Sequence, residues 1–247
     1  MKSIIQHIIE PQRLLLAWQA PEGKQRTRFI VGELIRKVGD DRSVMLRYLQ
    51  ESIDFQKAKN LGFDGHPAFK KTDRDYSHGV VDAFMRRLPP RTRRDFRQYL
   101  EQFCISRDAN ISDFALLGYT GAKLPSDGFS IIHPFDNVDG PCEFLTEVAG
   151  FRYMKDISLD DVVIGETVTF EPEPTNKYDP RAISILLNER KIGYVNRGQL
   201  DAFHYWLKHN QLQAHVERKN GTESRPLVYV FIEIRTSIHV SSKRVSQ

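Results

Sequence analysis

The sequence predicts an α+β protein built as two units, and three observations carry that expectation. Three strand-like apolar runs broken by turns lie within Arg13–Leu49, the last alternating at Val44, Leu46 and Tyr48. Helical spacing dominates from Val80 to Leu117. A turn-rich stretch, Pro134-Phe-Asp-Asn-Val-Asp-Gly-Pro141, then separates this helix-rich block from a strand-rich remainder. The expected bounds are 1–138 for the first unit, 142–237 for the second, and 238–247 for a polar, flexible tail.

In the first unit Ser3–Ile9 reads either as an edge strand or as a helical turn. Arg13–Gln19 and Thr27–Ile35 read as a hairpin across a Pro21–Gln25 turn. After a turn at Val38–Asp41, Ser43–Leu49 makes a third strand. A helix is expected within Glu51–Asn60, ended by Gly62. Another runs over Val80–Leu88 and stops at Pro89-Pro90, where a helix interior cannot continue. Thr92 is an expected N-cap for Arg93–Phe103, and Ser112 for a helix through Leu117. Arg86, Arg87, Arg91, Arg93, Arg94 and Arg97 make the most basic patch; it reads either as a solvated face or as a surface for phosphate or an acidic partner. In the second unit, strands are expected at Glu143–Tyr153, around Val168 and Phe170, over Ile183–Leu187 and Ile192–Val195, and at Gln213–Arg218 and Leu227–Ile234. Leu200–His209 is a helix with Phe203, Trp206 and Leu207 on its buried face.

Composition narrows the function classes. The 247 residues are 40% hydrophobic and 28% charged, which supports a folded core. No apolar run approaches the length of a membrane span, and the apolar run at the N-terminus is too short and broken for a signal peptide. Two cysteines outside any CxxC pair fit a cytoplasmic protein. The net charge of +4 permits nucleic acid without demanding it. Residues 141–237 hold twelve Lys and Arg against fourteen Asp and Glu, a balance of −2, so the basic excess lies elsewhere. GxxxxGK[ST], GxGxxG, GxSxG and HExxH are absent, and no His, Cys and carboxylate cluster has metal-ligand spacing. The expectation is a non-enzymatic protein without cofactor or metal.

The informative stretch is Thr167–Val195. Its two strand runs flank Glu171-Pro-Glu-Pro-Thr-Asn-Lys-Tyr-Asp-Pro180, whose prolines fix φ and remove ladder donors. Asn188–Lys191 makes a polar hairpin turn. The loop carries an amide, an aromatic ring and a carboxylate at Asn176, Tyr178 and Asp179, a set suited to stacking on a ring and gripping its polar edge. Asn-x-Tyr-Asp-Pro is equally turn chemistry, and spacing alone does not decide between the two.

Gly150-Phe-Arg-Tyr153, Gly165, Asn176-Lys-Tyr-Asp-Pro-Arg-Ala-Ile183 and Ile192-Gly-Tyr-Val-Asn-Arg197 follow the order and near spacing of the HIRAN domain, which residues 143–235 resemble. The resemblance implies an OB-like β-barrel with helices that binds single-stranded DNA at a free 3′ end. It places Arg152 and Tyr153 beside the strand, stacks Tyr153 and Tyr178 on bases, and sets Asp179 with Asn176 at the terminal sugar. Tyr194 and Arg197 fall at phosphate contacts. The sequence departs from the DNA-binding members in having Met154 for an aromatic residue and Tyr194 for a common polar ring.

In the first unit, Phe29-Ile-Val-Gly-Glu-Leu34, Leu46-Arg-Tyr-Leu49, Phe84-Met-Arg-Arg-Leu-Pro-Pro-Arg91 and Ala115-Leu-Leu-Gly-Tyr-Thr-Gly-Ala122 are similar to the N-terminal subdomain of HipA-type toxin kinases. Without kinase-core motifs, that similarity implies contact with a protein partner rather than phosphotransfer. The resulting expectation is a bacterial or phage DNA-end-binding protein of repair or defence. Its alternative is a protein-interaction regulator of a toxin–antitoxin or defence system that does not bind DNA.

Overall fold

The computed structural model describes residues 3–21, 27–37, 40–124, 127–209 and 211–235. Strands β1 (Arg13–Gln19), β2 (Arg28–Lys37), β3 (Asp40–Tyr48) and β4 (Phe129–Ile132) form an antiparallel sheet ordered β3-β2-β1-β4. The strand alternation of β1 divides its side chains. Leu14, Leu16 and Trp18 enter the main core, while Leu15 and Ala17 join Ile132 and Ile30 in a small cluster on the other face.

Four helices cover the first face: α1 (Ile53–Asn60), α2 (Val80–Met85), α3 (Phe96–Glu101) and α4 (Asp113–Thr120). Ser52 caps α1 by accepting the Phe55 N–H (3.1 Å), and Ser112 caps α4 by accepting the Ala115 N–H (3.0 Å). The helix expected from Arg93 begins only at Phe96, with Asp95 at its N-cap. Turn bonds from Arg93 N–H to Pro90 and from Phe96 N–H to Arg93 occupy the intervening backbone. The basic patch is largely paired: Arg87 with Asp127, Arg91 with Asp113, Arg93 with Asp95 and Arg97 with Asp108. Ser3–Ile9 forms neither strand nor helix; the Gln6 and His7 N–H groups donate to Glu143 (2.9 and 2.8 Å) and Ile9 N–H to the Tyr119 hydroxyl (2.8 Å). The Pro21–Gln25 and Val38–Asp41 turns fall partly, and the 238–247 tail wholly, outside the described residues.

The second half holds β5 (Cys142–Glu147), β6 (Val168–Pro172), β7 (Ile183–Leu187), β8 (Arg190–Tyr194), α5 (Leu200–Lys208), β9 (Leu212–Thr222) and β10 (Arg225–Ile234). The expected closed barrel is not found among the described residues. Two three-stranded sheets, β5-β10-β9 and β6-β7-β8, meet through single bridges at Ala149–Tyr194 and Thr167–His215. The ladder does not propagate because the chain leaves the sheet after Glu147. Gly150, at φ +81°, turns it into a 3-10 turn at Phe151–Tyr153, so the strand expected through Tyr153 stops six residues early. Asn188 and Glu189, both with positive φ, make the two-residue hairpin between β7 and β8.

Aromatic packing joins the halves. Phe135 stacks on His133 (3.8 Å) and on Phe144 (4.1 Å), and the Trp206 indole N–H donates to the Val138 carbonyl (3.0 Å). The 3-10 turn Arg197–Gln199 lies on the second face of the four-stranded sheet. A Cβ on Gly198 would stand 3.0 Å from Ile132 and from Leu15. Gln199 donates to the His133 carbonyl (3.2 Å) and accepts from Thr146 (3.1 Å). This docking sets Arg197 against the first half.

Candidate nucleic-acid interface

Loop 173–182 is closed at its base by Glu173 N–H to the Ala182 carbonyl (2.8 Å) and locked inside by Asn176. The Asn176 Oδ1 accepts the N–H groups of Tyr178 (2.9 Å) and Asp179 (3.1 Å), while its Nδ2 donates to Glu173 (3.0 Å). Asn176 is therefore an Asx-turn residue whose amide is used mainly to shape the loop. The turn chemistry and the binding geometry coexist: because Asn176 fixes the backbone, Tyr178 stands out with 88% of its surface exposed. Nothing in the core holds that ring.

A second ring pair lies beside the loop. Tyr153 is 57% exposed, and the Arg152 guanidinium sits over its ring (4.6 Å) and donates to its hydroxyl. A Cβ on Gly150 would be 4.0 Å from both Tyr153 and Tyr194, so the two rings flank this glycine. Lys191 lies over Tyr194 (5.1 Å) and pairs with Glu173. Glu173 also faces the Tyr194 hydroxyl (3.5 Å) and so links the rings to the Asn176 loop.

Asp179 ends the chain of contacts. Its Oδ1 accepts the Arg181 N–H and its Oδ2 the Arg197 Nε–H, both at 3.0 Å. Burial pushes the Asp179 carboxyl up, but the hydrogen bonds from Arg197 and the Arg181 backbone, with both guanidinium charges, hold it below the usual carboxylate range. It stays ionised at neutral pH, with lone pairs left for another donor. Glu173 is likewise held low: burial works upward, and the bonds from Lys191 and Asn176 outweigh it.

Arg152, Tyr153, Asn176, Tyr178, Asp179, Tyr194 and Arg197 thus lie in one connected surface. Arg197 differs from the expected free phosphate ligand, because its Nη1 also donates to Asp54 of α1 (2.8 Å). Sequence reasoning missed Glu173, Lys191 and Asp54. Glu173 stands within the proline loop itself, whereas nothing in the sequence connects Asp54 to Arg197, 143 residues away. It also passed over Lys155 and Lys177, which, with Arg152, have no carboxylate partner among the described residues. The described residues contain no His, Cys, Asp and Glu cluster able to hold a metal ion, and no helix among them is long and apolar enough to cross a membrane.

No curated protein compared matches the chain. Among solved structures it is similar to the HIRAN domain of human HLTF, at 21% identity over 37% of this chain and 74% of that one, with a TM-score of 0.31. A protein from Lactobacillus plantarum is similar at 24% identity over 39% of this chain and all of that one, also with a TM-score of 0.31. The family profile of the HIRAN domain matches residues 142–242, so the comparisons support a HIRAN domain over that stretch.

Proposed function

We propose that the second half binds single-stranded DNA at a free 3′ end, without catalysis, and that the first half serves as a HipA-like contact unit for a protein partner. The observation that carries the DNA reading is the exposed Tyr178 ring on a backbone locked by Asn176, with the exposed Tyr153 linked to the same loop through Tyr194 and Glu173. Aromatic faces on a rigid frame are how single strands are held without regard to sequence, at roughly 1–3 kcal/mol per stacked base. The HIRAN match at 142–242 supports a DNA partner in general. The 3′-end preference rests on Asp179: an ionised carboxylate accepts the hydrogen bond of a terminal hydroxyl and repels a terminal phosphate.

Anisotropy with fluorescent single strands ending in a 3′-hydroxyl or a 3′-phosphate tests this reading. Tighter binding of the hydroxyl end is expected, and equal affinity for both ends sinks the end preference. The second reading, a protein-interaction regulator without DNA binding, is favoured by Arg197 already standing between two carboxylates. No measurable binding of either strand selects that reading.

A further inference from the structure

The 3′-end site proposed above is confined to the second half, yet its Arg197 is held from outside that half. One edge of the guanidinium bonds Asp179 (3.0 Å, from Nε) and the next bonds Asp54 (2.8 Å, from Nη1). Nη2 makes no hydrogen bond among the described residues. Each carboxylate also has a backbone donor on its other oxygen. Asp179 takes the Arg181 N–H, and Asp54 takes the Ile30 N–H (3.0 Å) beside the register shift between β1 and β2. Asp54 is further placed by the Ser52 cap at the start of α1. The side chains of all three residues are partly buried, Arg197 at 30% exposure being the most open. The approach of Arg197 to Asp54 is not incidental, because Gly198 lies so close to Leu15 and Ile132 that a side chain there would crowd the sheet.

We infer that Asp54 of the first half is a positioning residue of the end-binding site: it anchors Arg197, which in turn fixes the Asp179 carboxylate toward the strand terminus. A guanidinium bound by one carboxylate alone can swing about that contact, whereas two fixed carboxylates define its plane. The first half is then part of the specificity of the second. Asp54 touches no nucleic acid itself; its negative charge would repel phosphate, so the gain it offers is geometric.

This inference rests on the 3′-end reading, and the test separates the two. In the full chain, Asp54→Asn keeps size and an acceptor for the Ile30 N–H but removes the ionic hold. The ratio of affinities for 3′-hydroxyl over 3′-phosphate strands should fall at least threefold, with affinity for the 3′-phosphate strand changed less than twofold. Independently of DNA, solvent exchange of the Arg197 Nε–H, followed by NMR, should accelerate at least fivefold, while Asp54→Glu restores part of the protection. Unchanged Nε–H exchange in Asp54→Asn overturns the inference whether or not DNA binds. So does tighter binding of both strands with a steeper salt dependence, since Asp54 would then be a competitor for phosphate rather than a positioning residue. If the wild type binds neither strand while Nε–H exchange still responds, the 3′-end reading fails and the anchoring of Arg197 by Asp54 stands.

Discussion

His133 joins the two halves and should make the protein sensitive to acid. Its ring is buried, stacks on Phe135 and contacts Tyr119 edge-on. Nδ1 accepts the Phe135 N–H (2.9 Å), so the proton sits on Nε2 and is donated to the Ile9 carbonyl (3.2 Å). A second proton on Nδ1 would break the Phe135 bond and bury a charge. Burial accordingly lowers the His133 pKa to about 4, against a smaller opposing effect of the Ile9 carbonyl. The folded pKa lies below the unfolded value of about 6.5. The stability from the neutral ring is therefore complete above pH 6.5 and lost as pH falls toward 4, because the unfolded chain takes the proton first. At about 1.36 kcal/mol per pH unit, the full loss is roughly 3 kcal/mol. Urea unfolding of the wild type and of His133→Gln between pH 7 and 4 measures it. The variant should be less stable at pH 7 but should lose about 1 kcal/mol less per pH unit below 6.5. His66, also lowered to about 4 by burial, adds a component of the same sign that the variant retains. Parallel curves for the two proteins would refute the reasoning.

Other perturbations test the frame and the surface. A methyl group on Gly193 would lie 2.5 Å from Val148 and 2.6 Å from the Ala149 carbonyl, at φ +148°. Gly193→Ala should cost roughly 2 kcal/mol or more in a urea melt, and a loss under about 0.5 kcal/mol would mean that the Ala149–Tyr194 bridge is not tight. Arg93→Glu with Arg94→Glu should leave oligonucleotide affinity nearly unchanged, since neither residue belongs to the proposed surface; a tenfold loss, about 1.4 kcal/mol, would extend the DNA site into the first half's basic patch. We propose 1–138 and 142–237 as folding units. Residues 141–247 alone should then unfold cooperatively but at a lower urea midpoint than the full chain, because Phe144 and Trp206 lose Phe135 and Val138. A product without a cooperative transition counts against the division.

What the sequence made legible was local. Ser52 and Ser112 are short-range signals whose consequences stay within one helical turn, although only Ser112 was read as a cap. The hairpin at Asn188–Glu189 and the buried face of α5 follow from spacing alone. The proline loop was readable because its chemistry is concentrated in four residues from Asn176 to Asp179. Long-range effects were not readable. The strand expected through Tyr153 alternated only as far as Val148; the ladder stops at Glu147, Gly150 turns the chain away, and the open barrel follows from that. Asp54 looked like an ordinary first-turn acid of α1, and only the seating of Gly198 on the sheet reveals what it meets.

The central claim is that Tyr178 holds the strand by stacking rather than by charge. The most direct measurement is the affinity of wild type and Tyr178→Ala for one single-stranded oligonucleotide across a range of salt concentrations. Arg152, Lys155 and Lys177 are three cations open to phosphate, so a wild-type slope of about −2 is expected at roughly −0.7 per contact. Tyr178→Ala should lose roughly 1–3 kcal/mol, with the deficit constant as salt rises. Equal binding by the two proteins, or a deficit that vanishes at high salt, would contradict the account.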